Sequence, residues 1–500
     1  MDKILSKVKK LIPKKIFKAL QPAYHFLLGW ISSLVYGRSS EKLIVIGVTG
    51  TTGKTTCVYL IAKVLESAGY KVGYTSTAMF SDGKKEWLND KKMTMVGRFF
   101  TQKILKEMVQ NGCQYAIVET TSEGITQFRH RFINYDIILY TGLYPEHIES
   151  HGSFENYRDA KGKLFSHLQK CRTKYCDENK KVIRGLSSLK RIELNRVKKA
   201  IIVNGDDEQA GYFIKFWAEE KFILINGKRQ PERPPARQNR SGGELSERAG
   251  KAANKKFDPA TEVILLEGVK AGAQGVSFKV SGKNIDLKLL GGFNAINASL
   301  AACFGISQGI AMERIKSGLE EISGIPGRLE KIDEGQPFTV IVDYAFEPKA
   351  VLKLYELVKM IPHKKIIHVL GSAGGGRDET RRPKLGEIAA RNADVVIVTN
   401  EDPYDDDPGV IIDQVSLGAE NNGKTLNENL FKVLDRRMAI KKALRSAGHG
   451  DAVLITGKGS EQAICAANGE KIPWDDREVV SEELKLIQDM KGPRAPSAAG

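Results

Sequence analysis

The chain has 500 residues, 41% of them apolar, with 77 Lys and Arg against 60 Asp and Glu, a net charge of +17. That length and apolar content exclude a disordered chain and allow more than one buried core, while the charge favours anionic partners such as nucleotide phosphates or a membrane surface. The six cysteines (Cys57, Cys113, Cys171, Cys176, Cys303 and Cys465) have no C-x-x-C spacing, which excludes a zinc ribbon or disulfide scaffold and fits reduced thiols in a cytoplasmic protein.

Residues 1–40 differ in character from the rest of the chain. Seven lysines from Lys3 to Lys18 lead into the apolar stretch Pro22 to Tyr36, shorter than the ~20 residues a spanning helix needs. Two readings stay open: an anchor lying on the inner membrane surface with its lysines on anionic headgroups, or a helix packed on the next domain. Nucleic acid is not an expected partner, because no RNA-binding motif or interleaved aromatic set accompanies the basic segments.

The strand-like run Leu43–Ile46 is followed by Gly47-Val48-Thr49-Gly50-Thr51-Thr52-Gly53-Lys54-Thr55-Thr56 and then a helical pattern through Leu60, Ile61, Val64 and Leu65. A glycine-rich turn between strand and helix aims backbone N–H groups at phosphate oxygens. Gly50, Thr51, Thr52, Gly53 and Thr56 would form the cradle, Lys54 would meet the terminal phosphates, and the Thr55 hydroxyl would reach Mg²⁺. A strict P-loop has glycine where this chain has Val48, so the loop is a variant, Thr-Gly-Thr-x-Gly-Lys-Thr.

Further strands are expected at Tyr115–Val118, Ile137–Tyr140 and Ala200–Val203, with helices at Thr55–Ala68, Phe100–Gln110 and Phe154–Leu168. This is the alternation of an α/β unit with a parallel sheet. Residues 172–198 read as a Lys/Arg-rich surface insertion, and residues 228–258 have a disorder-like composition. Strands at Val263–Leu266, Gly275–Val280 and Ile285–Leu289 and a helix from Asn294 to Gln308 complete a domain over 41–325. A second unit, 326–490, shows strands at Thr339–Asp343, Lys365–Leu370, Asp394–Val398 and Ala452–Ile455, a Rossmann-like pattern. Residues 491–500 read as a tail. The fold class is α/β: a P-loop ATPase domain followed by a Rossmann-like domain.

Glu119 ends a strand, where open parallel sheets bind ligands, and its carboxylate suits Mg²⁺. After the next strand come Glu146-His147-Ile148-Glu149-Ser150-His151-Gly152 and, on a helix, Ala160-Lys161. This set resembles the Mur ligases, ATP-dependent amide-forming enzymes of peptidoglycan precursor synthesis. Within them it is most similar to the tripeptide-synthetase (MurE) branch. Asn204-Gly205-Asp206-Asp207, Gly292 to Asn297, Gly324 to Glu330, Val342 to Ala345, Gly457 to Glu461 and Trp474 to Glu478 resemble segments of that branch in the same order, over about residues 41–485.

The resemblance implies two ligand sets and a mechanism. Lys54 and Thr55 hold ATP and Mg²⁺, Glu119 and His147 are metal ligands, and Lys161 is carbamylated to help hold a second ion. Asn294 and Asn297 lie near the adenine, and Arg328 and Asp343 contact nucleotide. Thr121, Gln127 and Arg129 meet a muramoyl-peptide acceptor, whose carboxylate becomes an acyl phosphate before a free amino acid attacks it.

Three departures stand out. Only about 40 residues precede the loop, where the family has a domain that helps bind uridine, so a lipid-linked or altered acceptor is a second expectation. Glu401-Asp402-Pro403-Tyr404 replaces the Asp-Asn-Pro-Arg of diaminopimelate-adding members, which disfavours diaminopimelate and leaves Asp402 and Glu461 able to receive an ammonium. Phe346 and Ser460 stand where the family has histidines. Arg377, on a glycine-rich loop, is a further candidate contact to the amino acid. A folylpolyglutamate-type ligase and a non-catalytic nucleotide-binding scaffold are the alternatives.

Overall fold

The strand-like runs assemble into two separate sheets. The computed structural model describes residues 14–145, 151–184, 193–227 and 261–490. In chain order, the first sheet draws on β1 (Ile44–Thr49), β2 (Val72–Thr75), β3 (Met79–Ser81), β4 (Glu86–Leu88), β5 (Tyr115–Glu119) and β6 (Ile137–Tyr140). A small separate sheet is made by β7 (Lys174–Cys176), β8 (Val182–Ile183) and β9 (Asn195–Val197). Then β10 (Ala200–Asn204), β11 (Glu220–Asn226), β12 (Thr261–Gly272), β13 (Gly275–Val280) and β14 (Lys283–Leu287) rejoin the first. Its eleven strands run in the order β14-β13-β12-β11-β10-β6-β1-β5-β2-β3-β4.

The centre of that sheet is parallel and its edges are antiparallel. Parallel strands are buried on both faces, which is why β1, β5, β6 and β10 read as unbroken apolar runs rather than alternating ones. Register brings three strand ends together: Val48 lies beside Glu119 on one side and Leu139 on the other. The phosphate-loop segment therefore emerges next to Glu119 and the segment after β6. The helix Lys54–Ser67, which begins at the end of this loop, is buried nearly all round, through Val58, Leu60, Ile61, Val64 and Leu65, because the helices Phe293–Ser307 and Met312–Glu320 cover its outer side. Each such side chain contributes about 1.5–3 kcal/mol of burial, which fixes the base of the loop.

The second sheet uses β15 (Glu330–Ile332), β16 (Thr339–Asp343), β17 (Ile366–Leu370), β18 (Val395–Thr399), β19 (Leu430–Val433) and β20 (Ala452–Thr456), ordered β15-β16-β20-β17-β18-β19. All neighbours are parallel except β15 with β16. The last helix, Asp476–Met490, is pinned to this domain by a buried two-bond pair, Arg436 Nε to Asp476 Oδ1 at 2.8 Å and Nη2 to Oδ2 at 2.7 Å.

One sequence expectation is refined. The described part of 172–198 is not merely a surface insertion. Lys174 is buried on β7 and donates to Asp136 Oδ2, the Leu43 carbonyl and the Asn134 carbonyl. Lys199 approaches the other oxygen of Asp136 at 2.8 Å. Burial pulls the Lys174 ammonium down to about 8 even beside Asp136. The pair ties the small sheet to the start of β6 and the end of β1's leading loop, a long-range use that a local Lys count does not reveal. Residues 228–258 lie outside the described set.

The N-terminal segment forms a helix, Lys14–Val35, with Pro22 inside it. Its small residues face the protein: Gly29, Ser32 and Ser33 are buried, and a Cβ on Gly29 would meet Phe132 at 2.8 Å. Its large apolar residues face outward, with Leu27, Trp30 and Leu34 at 51%, 45% and 42% exposure. The helix thus packs on the domain and still presents an apolar stripe. No helix among the described residues is long and apolar enough to cross a membrane.

Candidate functional site

The loop after β1 takes its shape from glycine. Gly50 has φ 150°, and a Cβ there would lie 2.0 Å from Thr141 Oγ1 and 2.9 Å from the Gly142 carbonyl. Gly53 caps the adjoining helix at φ 78°, a left-handed conformation that costs a residue with a Cβ roughly 1–2 kcal/mol. Its missing Cβ makes room for Asn297 Oδ1, 2.5 Å from that position. Lys54 Nζ folds back to the Thr51 carbonyl at 2.6 Å, the place from which a phosphate oxygen would draw it.

Thr55 and Glu119 meet at the end of the loop. Thr55 Oγ1 donates to Glu119 Oε2 at 2.9 Å, and Thr77 donates to the same carboxylate through its N–H (2.8 Å) and its hydroxyl (2.9 Å). A hydroxyl and a buried carboxylate beside a phosphate cradle are oxygen donors of the type Mg²⁺ takes, so the residues fit that ion. No group of three or more His, Cys, Asp or Glu able to hold a metal occurs among the described residues. A Mg²⁺ here would rest on one or two protein oxygens with phosphates and water as its other ligands. His147 lies outside the described residues. Lys161 is buried on the helix Phe154–Leu168 and donates to the Gly50 carbonyl at 2.8 Å.

A cavity of about 1670 Å³ runs from this loop to the second domain. Its wall includes Thr51 to Thr56, Glu119, Thr121, Arg129, Asn294, Asn297, Arg328, Asp343, Arg377, Asp402 and Glu461. Gly50, Gln127 and Lys161 are absent from that wall. Lys161 stands behind Gly50, and Gln127 supports Arg129, its Oε1 accepting from Nε at 3.1 Å and Nη2 at 2.7 Å. Thr121 caps the short helix Ser122–Thr126, accepting from the Gly124 N–H. Asn297 donates to Asn294 at 3.0 Å, which orients both amides beside Gly53.

On the facing domain, Asp343 holds the Arg328 turn by accepting from the Leu329 and Ala345 N–H groups, each at 2.7 Å. Arg328 stacks on Tyr344 at 4.3 Å. Burial pushes the Asp343 carboxyl up, opposed by Arg328 and these N–H groups. Arg377 hydrogen-bonds Tyr404, which offsets the lowering that burial would impose on its guanidinium. Phe346 packs edge-on to Tyr344, with Arg381 over its ring, so an aromatic contact fills the place of the family's histidine.

Sequence reasoning missed three charged groups. Arg98 donates to the Gln127 carbonyl, and burial together with Arg129 lowers it to about 10. Arg129 lies on the cavity wall, and Arg98, which does not line the cavity, adds a second positive charge behind it. Glu401 is buried on the cavity wall, its Oε2 lacks a hydrogen-bond partner among the described residues, and desolvation followed by Asp402 raises it to about 7. Lys92 crosses from the first domain to Asp402 and Glu461. Asp402 and Glu461 were visible in their motifs and Lys458 sits inside Gly457-Lys458-Gly459, but no motif pointed to Lys92 as their partner.

Residues 48–228 match the Mur ligase middle domain, and residues 327–459 match the Mur ligase glutamate ligase domain. A UDP-N-acetylmuramyl-tripeptide synthetase from a Roseiflexus species is 32% identical over 461 residues, covering 91% of this chain and 81% of its own. The chain belongs to the Mur ligase family. This Mur ligase is also 30% identical, over 460 residues and with the same coverage, to a UDP-N-acetylmuramoyl-L-alanyl-D-glutamate–2,6-diaminopimelate ligase from Geobacillus kaustophilus. Its fold is shared with MurF from Acinetobacter baumannii (TM-score 0.57, 15% identity, 94% of this chain and 81% of that one). It is shared too with a folylpolyglutamate synthase from Mycobacterium tuberculosis (TM-score 0.59, 15% identity, 88% and 96%). The Mur ligase described here is accordingly an ATP-dependent ligase of the tripeptide-synthetase type.

Proposed function

We propose that the protein adds a free amino acid to the carboxylate of a muramoyl peptide in peptidoglycan precursor synthesis, using ATP. The observation that carries this reading is the shared cavity. The phosphate loop, the Thr55–Glu119 pair and Arg129 lie on one wall, and Arg328, Arg377, Asp402 and Glu461 on the other. An acyl-phosphate route needs this arrangement, because the acceptor carboxylate must meet the terminal phosphate before an amine arrives from the opposite side. Arg129, braced by Gln127, would orient the acceptor carboxylate. Lys54 would leave the Thr51 carbonyl to neutralise charge gathering on the transferring group. Arg328 and Asp343 would hold the nucleotide from the second domain, and closure of that domain over the cavity would keep water from the acyl phosphate. Mg²⁺ held at Thr55 and Glu119 would supply further charge neutralisation.

Lys161 supports a finer reading. Carbamylation would turn its buried ammonium behind Gly50 into an anion, suited to help hold a second Mg²⁺ with His147. Intact-mass analysis with bicarbonate, showing a labile addition lost in Lys161→Arg, tests this. The amino acid would meet Arg377, Asp402 and Glu461, and Tyr404 removes the guanidinium that clamps a second carboxylate. Product mass spectrometry with UDP-muramoyl-dipeptide and a panel of amino acids tests the whole proposal. An amide product with an amino acid other than diaminopimelate is expected, and strong preference for diaminopimelate contradicts the Tyr404 argument.

A membrane-surface location is supported by the outward stripe Leu27, Trp30 and Leu34 and by the lysines that precede it in sequence. Co-flotation with anionic vesicles, lost in Leu27→Asp/Trp30→Asp, is the expected result. Equal flotation of both proteins contradicts it.

A further inference from the structure

A four-charge cluster joins the two domains at the far wall of the cavity. Lys92 sits between β4 and the helix Arg98–Gln110, and its Nζ lies 2.8 Å from each oxygen of Asp402 and 3.1 Å from Glu461 Oε2. Lys458 donates to Asp402 Oδ1 at 2.8 Å and to Glu461 Oε2 at 2.7 Å. The Lys458 side chain is 0% exposed and that of Lys92 is 6% exposed. Asp402 also accepts from the Cys465 N–H at 2.7 Å, and Glu461 Oε1 accepts from the Tyr344 hydroxyl at 3.2 Å.

The charges count out simply. Lys458 shares a domain with both carboxylates and neutralises one of them permanently. One negative charge remains, so the second domain by itself offers a slot for a single cation. Lys92 fills that slot from the other domain. It does so from a left-handed backbone conformation, φ 53°, which a residue with a side chain rarely adopts without compensation. Burial would lower the Lys92 ammonium, but Glu461 and Asp402 outweigh burial and raise it, so it is held charged.

Such a slot does not suit the amine that attacks an acyl phosphate. Two carboxylates favour the protonated form, which has no lone pair. They suit an ammonium that takes no part in the chemistry, as on the side chain of a basic amino acid. We propose that Lys92 is a specificity-determining stand-in for that side-chain cation: it occupies the slot in the substrate-free enzyme, and a basic amino acid binds by displacing it. This rests on the reading of Asp402 and Glu461 as contacts to the amino acid. A neutral amino acid cannot replace the charge of Lys92 and leaves it in place, so the device discriminates by what it takes to evict it.

The test compares binding of L-lysine and L-norleucine, which lacks the distal ammonium, to the full-length protein with ADP and Mg²⁺ by calorimetry. Lys92→Met is expected to bind lysine roughly tenfold more tightly, because a competitor for the slot is removed, with norleucine unchanged. Lys92→Arg, which keeps a cation, is expected to follow the wild type, and Asp402→Asn to bind lysine more weakly. If Asp402→Asn weakens lysine binding but Lys92→Met does not tighten it, the stand-in is refuted and the amino-acid subsite survives. If Asp402→Asn has no effect, or no variant binds lysine, the subsite reading fails and the stand-in falls with it. Should Lys92→Met not fold, Lys92→Gln supplies the same readout.

Discussion

Glu401→Gln should leave the protein nearly unchanged below about pH 4.5 and stabilise it increasingly as pH rises from there through about 7. Glu401 is buried without a partner for Oε2 among the described residues, and desolvation, then Asp402, raises its carboxyl from 4.5 to about 7 against the pull of Arg436, Lys458 and Arg381. A rise of that size corresponds to about 3 kcal/mol between the protonated and ionised forms. The folded value exceeds the unfolded one, so the folded state binds the proton more tightly. Its favourable contribution is complete below pH 4.5 and is lost as pH rises through about 7. Glutamine keeps the shape and cannot ionise. Urea denaturation of wild type and variant at pH 5, 6, 7 and 8 should give a difference that grows with pH towards about 3 kcal/mol in favour of the variant. Effects of the other titrating groups largely cancel in that difference. Parallel stability curves across this range would refute the reasoning, since they would mean that Glu401 ionises in the fold as easily as in water.

The same contacts lead to other outcomes. Lys54→Met should lower kcat for amide formation by about 10²–10³ while the melting temperature stays near wild type, because the bond Lys54 makes among the described residues is to the Thr51 carbonyl within its own loop. Glu119→Gln should shift the Mg²⁺ dependence of turnover to higher concentration, read from a titration after chelation, because a carboxylate oxygen beside Thr55 is lost. Asp476→Ala should cost about 3–5 kcal/mol in denaturant, since it leaves the buried Arg436 guanidinium without its carboxylate.

Local pattern carried much of the architecture. The unbroken apolar runs of β1, β5, β6, β10, β16, β17, β18 and β20 are visible because parallel strands bury both faces, and the Gly-Lys-Thr turn is visible because its job is done by adjacent residues. β2 to β4, β7 to β9, β11, β15 and β19 were missed. β2, β3 and β4 are only three or four residues long, and β11, although it lies inside the sheet between β10 and β12, begins with Glu220 and Lys221 and ends with Asn226, which leaves a short apolar run. The site divides in the same way. Thr55 with Glu119, and Gln127 with Arg129, could be paired from motifs. Lys92 with Asp402 could not, because 310 residues separate them and only the approach of two domains makes them neighbours. Lys174 with Asp136 escaped for a different reason: a buried lysine looks in sequence like any surface lysine. The opposed faces of the N-terminal helix explain why periodicity left two readings open, since small residues pack inward and large apolar ones point out.

The central claim is that one cavity joins the phosphate cradle to an acid and an amine held between two domains. ADP release from ATP and Mg²⁺, measured with UDP-muramoyl-dipeptide and amino acid each present or absent, tests it most directly. The account predicts ADP formed in step with amide and only when both are supplied. ADP formed at the same rate without the acceptor, or none with the complete mixture across the amino-acid panel, would contradict it.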